Sequence, residues 1–566
     1  MSHAAGGARR TSKRGRRAPR FVRVIEMGPG MPIRRDVAGC TFVIAAAVLG
    51  ALAACNVPEM ARFPDYVGPA APAEAQKAAA AELTPPTAAA PSEAAGPLRL
   101  TVPDAILLAL QNNRAFIVDR YTPPITRTAE QQPLAAFDPD LTGTFSFQRQ
   151  YDQDNSPPPA QTELGLLGLT EFLPTGTLLS LNASEAIMKW PATTATNYLA
   201  QPGNYVTRVG LTVTQPLLRG YGLDVNLASL RQARLDTRSS EYELRGFAES
   251  LVAQTEEAYW DCTLAEQQIQ ITQKSLDLAN DQLRETLDRI RLGNVAATER
   301  VAAEAEVALR QEDLINARSA FETTRLQLLR LLSPSGKTFE RSVTLLDQPS
   351  AKEEPIDNLA EHIEAALRMR PDLNQARLLV ERDELEIVRT KNGLLPQLNL
   401  FITLGRSGYS ASFPGSVSNL DAHDYDALIG VNFEYPPANR AAKAADARAR
   451  LARGQAEQAV GNLAQLVEED VRSAYVELLR TRAQVAATEA SRTLEEEKVR
   501  VESEKFRIGK STSLLVAEAE RDLLASQIAY VQAVAGYRKA LVELYRLEGT
   551  LLLRRGLAAP GSTPPE

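Results

Sequence analysis

None of the 34 prolines falls in residues 217–333 or 438–559. Proline removes a backbone donor and clashes with the preceding turn, which excludes it from helix interiors. Two proline-free stretches of more than 100 residues predict helices far longer than the ~12 residues usual in globular proteins. The apolar spacing agrees. Cys262, Ala265, Ile269, Thr272, Leu276, Ala279, Leu283, Leu287 and Ile290 step mostly by three and four, as do Val471, Ala474, Leu478, Thr481, Val485 and Thr488. That is a coiled-coil seam, with small residues that let helix axes approach closely.

One glycine interrupts each stretch in a matching context. The two segments are Arg289-Ile290-Arg291-Leu292-Gly293-Asn294 and Lys505-Phe506-Arg507-Ile508-Gly509-Lys510, 216 residues apart. Glycine takes the left-handed conformation that ends a helix and turns the chain, so each stretch reads as a helical hairpin. The returning helices contain Ala305-Glu306 and Ala519-Glu520. A further match pairs Ala109-Leu110-Gln111-Asn112-Asn113 with Ala366-Leu367-Arg368-Met369-Arg370. The chain is therefore read as one unit used twice, over residues 98–345 and 346–555. Pro123-Pro124 is expected to break the first short helix, where the second repeat has no such pair.

Between the helices the period changes to two. Apolar Phe145 and Phe147, then Val209, Leu211 and Val213, then Leu398, Leu400, Ile402 and Leu404, then Val431, Phe433 and Tyr435 mark strands, with Phe401 out of pattern. Each repeat reads as short helix, strands, long helix, glycine turn, short helix. Strands with one apolar face suit a barrel with lipid outside and water inside. About four strands per chain are expected, whereas the smallest membrane barrels have ~8. An open edge in lipid leaves backbone groups unpaired, so the chain must oligomerise; three copies give twelve strands. Residues 150–205 insert into the first strand pair, with a tight turn at Phe172-Leu173-Pro174-Thr175-Gly176-Thr177. An outer hairpin and two extra barrel strands both fit that insertion.

The N-terminal region carries its own signals. Residues 38–54 hold no charge and follow Arg34 and Arg35. A basic start, a short apolar core and a small-residue end describe a secretory signal, too short for a comfortable membrane span. Its end, Leu52-Ala53-Ala54-Cys55, resembles the lipobox of bacterial lipoproteins. That resemblance implies a diacylglycerol on the sulfur of Cys55, which becomes the new N-terminus; the other reading is a chance cysteine after an ordinary signal. No other cofactor is expected. Residues 1–54 carry ten basic and two acidic side chains, so a chain of net charge −7 becomes about −15 without them. So acidic a body is a poor partner for nucleic acid, although Arg9 to Arg23 is basic. An upstream extension fits that segment, since Met31 opens a signal of ordinary length. Residues 55–97 are rich in Ala, Pro and Glu and cannot build a core; they read as a tether, and residues 556–566 as a disordered tail. With Cys40 and Cys55 accounted for, Cys262 is alone and no intrachain disulfide is expected.

The ordered set of these features resembles the trimeric TolC-like outer-membrane efflux factors over residues 98–555. Thr214-Gln215-Pro216-Leu217-Leu218-Arg219-Gly220-Tyr221-Gly222 is similar to that family's strand-to-helix junction, and Glu257-Ala258-Tyr259-Trp260-Asp261 to its first long helix. The resemblance implies an α+β membrane protein: a homotrimer sharing a transmembrane β-barrel on a long periplasmic coiled-coil helical barrel. It implies passive conduction, with the tips Gly293, Asn294, Gly509 and Lys510 meeting a periplasmic adaptor that joins an inner-membrane transporter. Family members carry acidic side chains six and nine residues after the second tip glycine, where this chain has Leu515 and Glu518. Only Glu518 keeps a carboxylate for an aperture ring. Phe506 replaces a tyrosine and Ser511 an arginine, so the family's closing contacts there do not carry over. The cargo class stays open among drugs, metals and polypeptides.

Two rival classes fare worse. Ser335-Gly336-Lys337-Thr338 ends like a phosphate loop, but the glycine needed five residues before Gly336 is Leu331. His3, His362 and His423 lack metal-ligand spacing, and Cys262 sits on a helix face as a buried thiol would. These observations argue against an enzyme. A coiled-coil lipoprotein spacing the envelope accounts for helices and lipid, but not for alternating strands recurring in step with them.

Overall fold

The computed structural model describes residues 97–150, 160–189, 204–293, 296–332, 339–350, 358–421, 425–508 and 510–558. Residues 1–70 and 71–566 separate as two units, and every described residue belongs to the second. The signal, Cys55, most of the tether, Asn294, Gly509, the Ser335–Thr338 loop and the tail from 559 lie outside the described residues.

In chain order the elements are β1 (Leu98–Leu100), α1 (Val102–Asn112), α2 (Arg114–Asp119), α3 (Thr122–Thr128), α4 (Gln131–Leu134), β2 (Asp140–Gln150), β3 (Ala160–Phe172), β4 (Leu178–Lys189) and β5 (Asn204–Pro216). Then come α5 (Leu223–Asn226), α6 (Ala228–Arg291), α7 (Glu299–Leu332), β6 (Val343–Leu345), α8 (Leu359–Met369) and α9 (Pro371–Gly393). The chain closes with β7 (Gln397–Ser410), α10 (Phe413–Ser418), β8 (Tyr425–Glu434), α11 (Arg440–Arg507), α12 (Ser513–Glu548) and α13 (Leu551–Arg554).

The two proline-free stretches form the expected hairpins, α6 against α7 and α11 against α12. With 64 and 68 residues, α6 and α11 run about 96 and 102 Å at ~1.5 Å per residue. Residues buried along α6 include Ala265, Thr272, Ala279 and Thr286, one small side chain every seven. The seam is therefore as predicted in period, with the larger Ile269, Leu276 and Leu283 set at its margins. Ion pairs three and four apart, among them Glu468–Arg472, Glu477–Arg480 and Glu497–Arg500, line the solvated face of α11. The first long helix starts at Ala228, later than the proline-free stretch. Gly220 (φ 86°) and Gly222 (φ 104°) hold a turn there that a side chain would strain.

The short helices break at the positions that the sequence aligned. Asn113 (φ −63°, ψ 120°) separates α1 from α2, and Arg370 (φ −61°, ψ 124°) separates α8 from α9. The oxygen of the Asn113 side chain accepts from the backbone N–H groups of Ala115 and Phe116, capping α2. At the second break Pro371 opens the next helix, where a missing donor costs nothing. Pro123-Pro124 act likewise: the first helix has ended by Arg120, and the two prolines open α3.

The strand count corrects the sequence expectation. Six strands, not four, make one antiparallel sheet in the order β2-β3-β4-β5-β7-β8. The inserted segment supplies sheet strands that pair along their length rather than an isolated outer hairpin. Alternation was hidden in β3 because leucines occupy both faces: Leu164 and Leu166 on one, Leu167 and Leu169 on the other.

A second, parallel pair, β1 with β6, had no sequence signal, since three residues carry no period. It is fastened to α6 by Tyr259, which is fully buried. The Tyr259 hydroxyl donates to the Leu100 carbonyl and accepts from the Asp347 N–H, both at 3.0 Å. Around it Trp260, Leu328, Leu332, Val471, Leu478, Tyr537 and Leu541 form the main apolar core. Without the hydroxyl the Leu100 carbonyl keeps the Leu346 N–H at 2.9 Å, but the part-buried Asp347 N–H is left unpaired at a cost of about 1–3 kcal/mol. Tyr259→Phe is expected to lower the denaturation midpoint measurably without changing the helix content seen by circular dichroism. An unchanged midpoint would show that the hydroxyl does not hold the strand pair.

Candidate functional site: the sheet wall and the helix tips

The pairing register sorts the side chains of the sheet into two faces. One row crosses all six strands as Leu141, Leu169, Leu181, Leu211, Leu404 and Ala427. The next row, on the opposite face, reads Thr142, Gly168, Asn182, Gly210, Gly405 and Asp426. The apolar face leaves Phe145, Phe147, Ile429 and Phe433 exposed by 59–70%, an arrangement that water does not tolerate over so large an area. On the polar face Thr212 and Thr403 share a hydrogen bond at 3.1 Å, and Arg208 pairs with Asp426 at 2.5 Å across Gly405. Strands of 10–14 residues match the ~9–11 residues that span a bilayer at a tilt. Among the described residues no helix is long and apolar enough to cross a membrane.

The hairpin joining β3 to β4 is anchored at the helical end of the sheet. The Gly222 N–H donates to the Thr175 carbonyl at 3.2 Å, and the Asn226 amide donates to Pro174 and Gly220 carbonyls at 3.1 and 3.0 Å. Gly176 (φ 94°) lies so close that a Cβ there would sit 2.2 Å from the Gly220 carbonyl oxygen.

At the other end the hairpins turn. Gly293 has φ 74°, as a helix-ending glycine should, and the Lys510 N–H closes the second tip on the Lys505 carbonyl at 2.8 Å. The Arg289 guanidinium lies 4.1 Å from the centre of the Phe506 ring while pairing with Glu285 at 2.6 Å. The Phe506 ring thus ties the two long helices by a cation–π contact. Ser511 donates to Glu502 at 2.9 Å. Thr512 caps α12. In the first turns of that helix Val516 and Ala519 are buried in the hairpin, whereas Leu515 and Glu518 are exposed. Leu515 and Glu518, three apart, share one face, turned away from the hairpin seam.

Deeper along the two returning helices, α7 and α12, a charged cluster joins the repeats. Arg310 is buried, bonded to Glu306 at 2.5 Å and Asp313 at 3.2 Å. Beside it, burial above all, and then the Glu306 charge, push the Glu520 carboxyl up to about 7, with Arg310 pulling the other way. The Ala-Glu pairs at 305–306 and 519–520 marked both residues, but only the fold brings them together. His362 is buried against Glu548. Burial pushes the Cys262 thiol up to about 12, which leaves it protonated and unreactive at neutral pH.

Strands with one exposed apolar row, set over long helices that end in tight turns, have the form of a membrane-wall subunit. The model of the outer membrane efflux protein family matches residues 176–333 and 362–550. The chain belongs to that family. It is 25% identical over 329 residues to the outer membrane efflux protein BepC of Brucella suis, covering 57% of this chain and 68% of that one. The fold is similar to that of the outer-membrane channel OprN, with TM-score 0.60 and 16% identity over 79% of this chain and 89% of that one. It is also similar to the CmeC outer membrane channel of Campylobacter jejuni, with TM-score 0.56 and 16% identity over 80% and 86%. The protein is an outer-membrane efflux channel component, and its family is one of channels rather than enzymes.

Proposed function

We propose that three copies of this chain close one continuous duct, the sheets forming a barrel in the outer membrane and the helices a conduit through the periplasm. The observation that carries this reading is the sheet itself. An apolar row crosses all six strands, and among the described residues the sheet has two open edges, β2 and β8. In lipid each unpaired backbone group costs several kcal/mol, so only closure with further copies satisfies the edges. An exposed stripe on α11, including Leu451, Val476 and Leu494, gives the helices a matching surface for the neighbouring copy. The matched breaks at Asn113 and Arg370 support the reading of two internal repeats. Cys55 carries the lipid that tethers residues 55–97 to the membrane. The tips Gly293, Asn294, Gly509 and Lys510 dock a periplasmic adaptor, which links the duct to an inner-membrane transporter that supplies the energy. Transport through this chain is passive, and no residue does covalent chemistry.

In this reading Glu518 and Leu515 face the narrow end. Three copies place three Glu518 carboxylates around one axis, a ring that attracts cations. Single-channel conductance of the purified protein in a planar bilayer tests this. Wild type is expected to show discrete cation-selective openings, and Glu518→Ala to lose most of the selectivity while keeping the channel. Unaltered selectivity would remove Glu518 from the aperture; no conductance in either protein would remove the open duct.

A further inference from the structure

We infer that the membrane wall of the assembly has eighteen strands, six from each of three copies, and that each copy's β8 pairs with β2 of its neighbour. The inference rests on the three-copy duct proposed above and goes beyond it in strand number and in the identity of the seam. The sequence pattern had pointed to twelve strands.

The added strands belong to the wall. The apolar row that runs through β5, β7 and β8 continues without a change of face through β4, β3 and β2. A one-residue slip at any pairing would have turned that row to the wet face. A hairpin lying outside the barrel would have no reason to keep ladder pairing with β2 and β5 along its whole length. The β3–β4 turn is also held at the helical end by Gly222 and Asn226, so both strands traverse the full height of the wall. β3 and β4 contain 13 and 12 residues, long enough to cross a bilayer. The family match begins at residue 176, so β2 and β3 lie outside the matched segments while β4 and β5 lie within them.

The seam follows from direction. β2 leads away from the helices and β8 leads back to them, with every pairing between them antiparallel. Placing β8 beside the next copy's β2 therefore continues the antiparallel order, and three such seams leave no edge. The same face stays apolar across the seam, since Phe145 and Phe147 of β2 and Ile429 and Val431 of β8 are all on it. At ~4.8 Å between strands and a ~40° tilt, eighteen strands close at a backbone diameter of about 36 Å, against about 24 Å for twelve. A wall of that width is a water-filled bore, so selection of cargo falls to the helical end.

Disulfide trapping in outer-membrane fractions tests the seam with the full chain. Asn432→Cys on the polar face of β8 is combined in turn with Thr142→Cys, Thr144→Cys or Ser146→Cys on β2, scanning the register. A second set, read as intrachain bridges on non-reducing gels, combines Thr142→Cys or Thr144→Cys on β2 with Thr212→Cys on β5, the strand that β2 would meet in a twelve-strand wall with β3 and β4 outside it. A covalent ladder up to trimer from at least one β8–β2 combination, and no β2–β5 bridge, is expected. A β2–β5 bridge overturns the eighteen-strand wall and leaves the duct standing, as does no β8–β2 ladder in proteins that still conduct in bilayers. Proteins that neither assemble nor conduct overturn the duct itself, and this inference with it.

Discussion

Gly176→Val is expected to prevent assembly of the three-copy duct proposed above, read as loss of a heat-resistant oligomer from outer-membrane fractions. The residue has φ 94°, and a Cβ would fall 2.2 Å from the Gly220 carbonyl oxygen. Left-handed backbone costs a β-branched residue about 1–3 kcal/mol, and the clash adds to this because both partners are backbone and neither can rotate away. Relieving it means moving either the β3–β4 turn or the Gly220–Gly222 corner that starts the long helix. Both lie at the junction of sheet and helices, so the strands would lose their place against each other before any closes a barrel. Gly165→Ala is the control: it lies in β3, and a Cβ there meets nothing within 4 Å. It is expected to assemble at wild-type levels. Heat-modifiable gel migration of membrane fractions reads both, and a normal oligomer from Gly176→Val would mean that the turn is not packed on that corner.

The helical body is expected to lose stability as the pH rises from about 5 to 8. Glu249 and Glu520 have carboxyls raised from 4.5 to about 7, in each case first by burial. Between those values the folded chain keeps protons that the unfolded chain has released, so raising the pH favours unfolding. The stabilisation is complete below the unfolded value and is lost as pH passes through the folded one. For Glu249, whose side chain is 3% exposed, the shift corresponds to about 3 kcal/mol at 1.36 kcal/mol per unit. The nearby Arg245 at 3.3 Å offsets only part of the burial. Glu520 faces Glu306 and Arg310 across the hairpins, and a smaller effect is expected from its more open setting. Thermal midpoints of the detergent-solubilised protein across this range should fall for wild type and flatten in Glu249→Gln and, less, in Glu520→Gln. Curves that stay parallel would assign the slope to other groups.

The aperture and the latch at the helix tips differ in how they could be found. Glu518 was marked by its distance from a tip glycine in a family pattern, and the structure leaves it exposed beside the buried Val516 and Ala519. The Arg289–Phe506 contact had no such mark. It joins residues from the two repeats, and no spacing along the chain predicts which guanidinium will find which ring.

What the residues determined alone was everything governed by local period. The absence of proline and a step of three and four set the long helices. The glycines at 220, 222 and 293 set where the chain turns, because only glycine takes those backbone angles without strain. The segments around Asn113 and Arg370 aligned with each other in the sequence, but that the helix breaks at both was shown only by the structure. What only the tertiary structure decided was everything governed by pairing between distant segments. The sheet has six strands because β3 and β4 find partners along their whole length, although β3 puts leucines on both faces and so shows no period. The three-residue strands β1 and β6 pair with each other and are fastened by Tyr259, which bonds to the carbonyl of the last residue of one and to the N–H beyond the other. Glu306, Arg310 and Glu520 acquire their charges' mutual effect only when the two hairpins pack, since a field between side chains depends on separation in space and not in sequence.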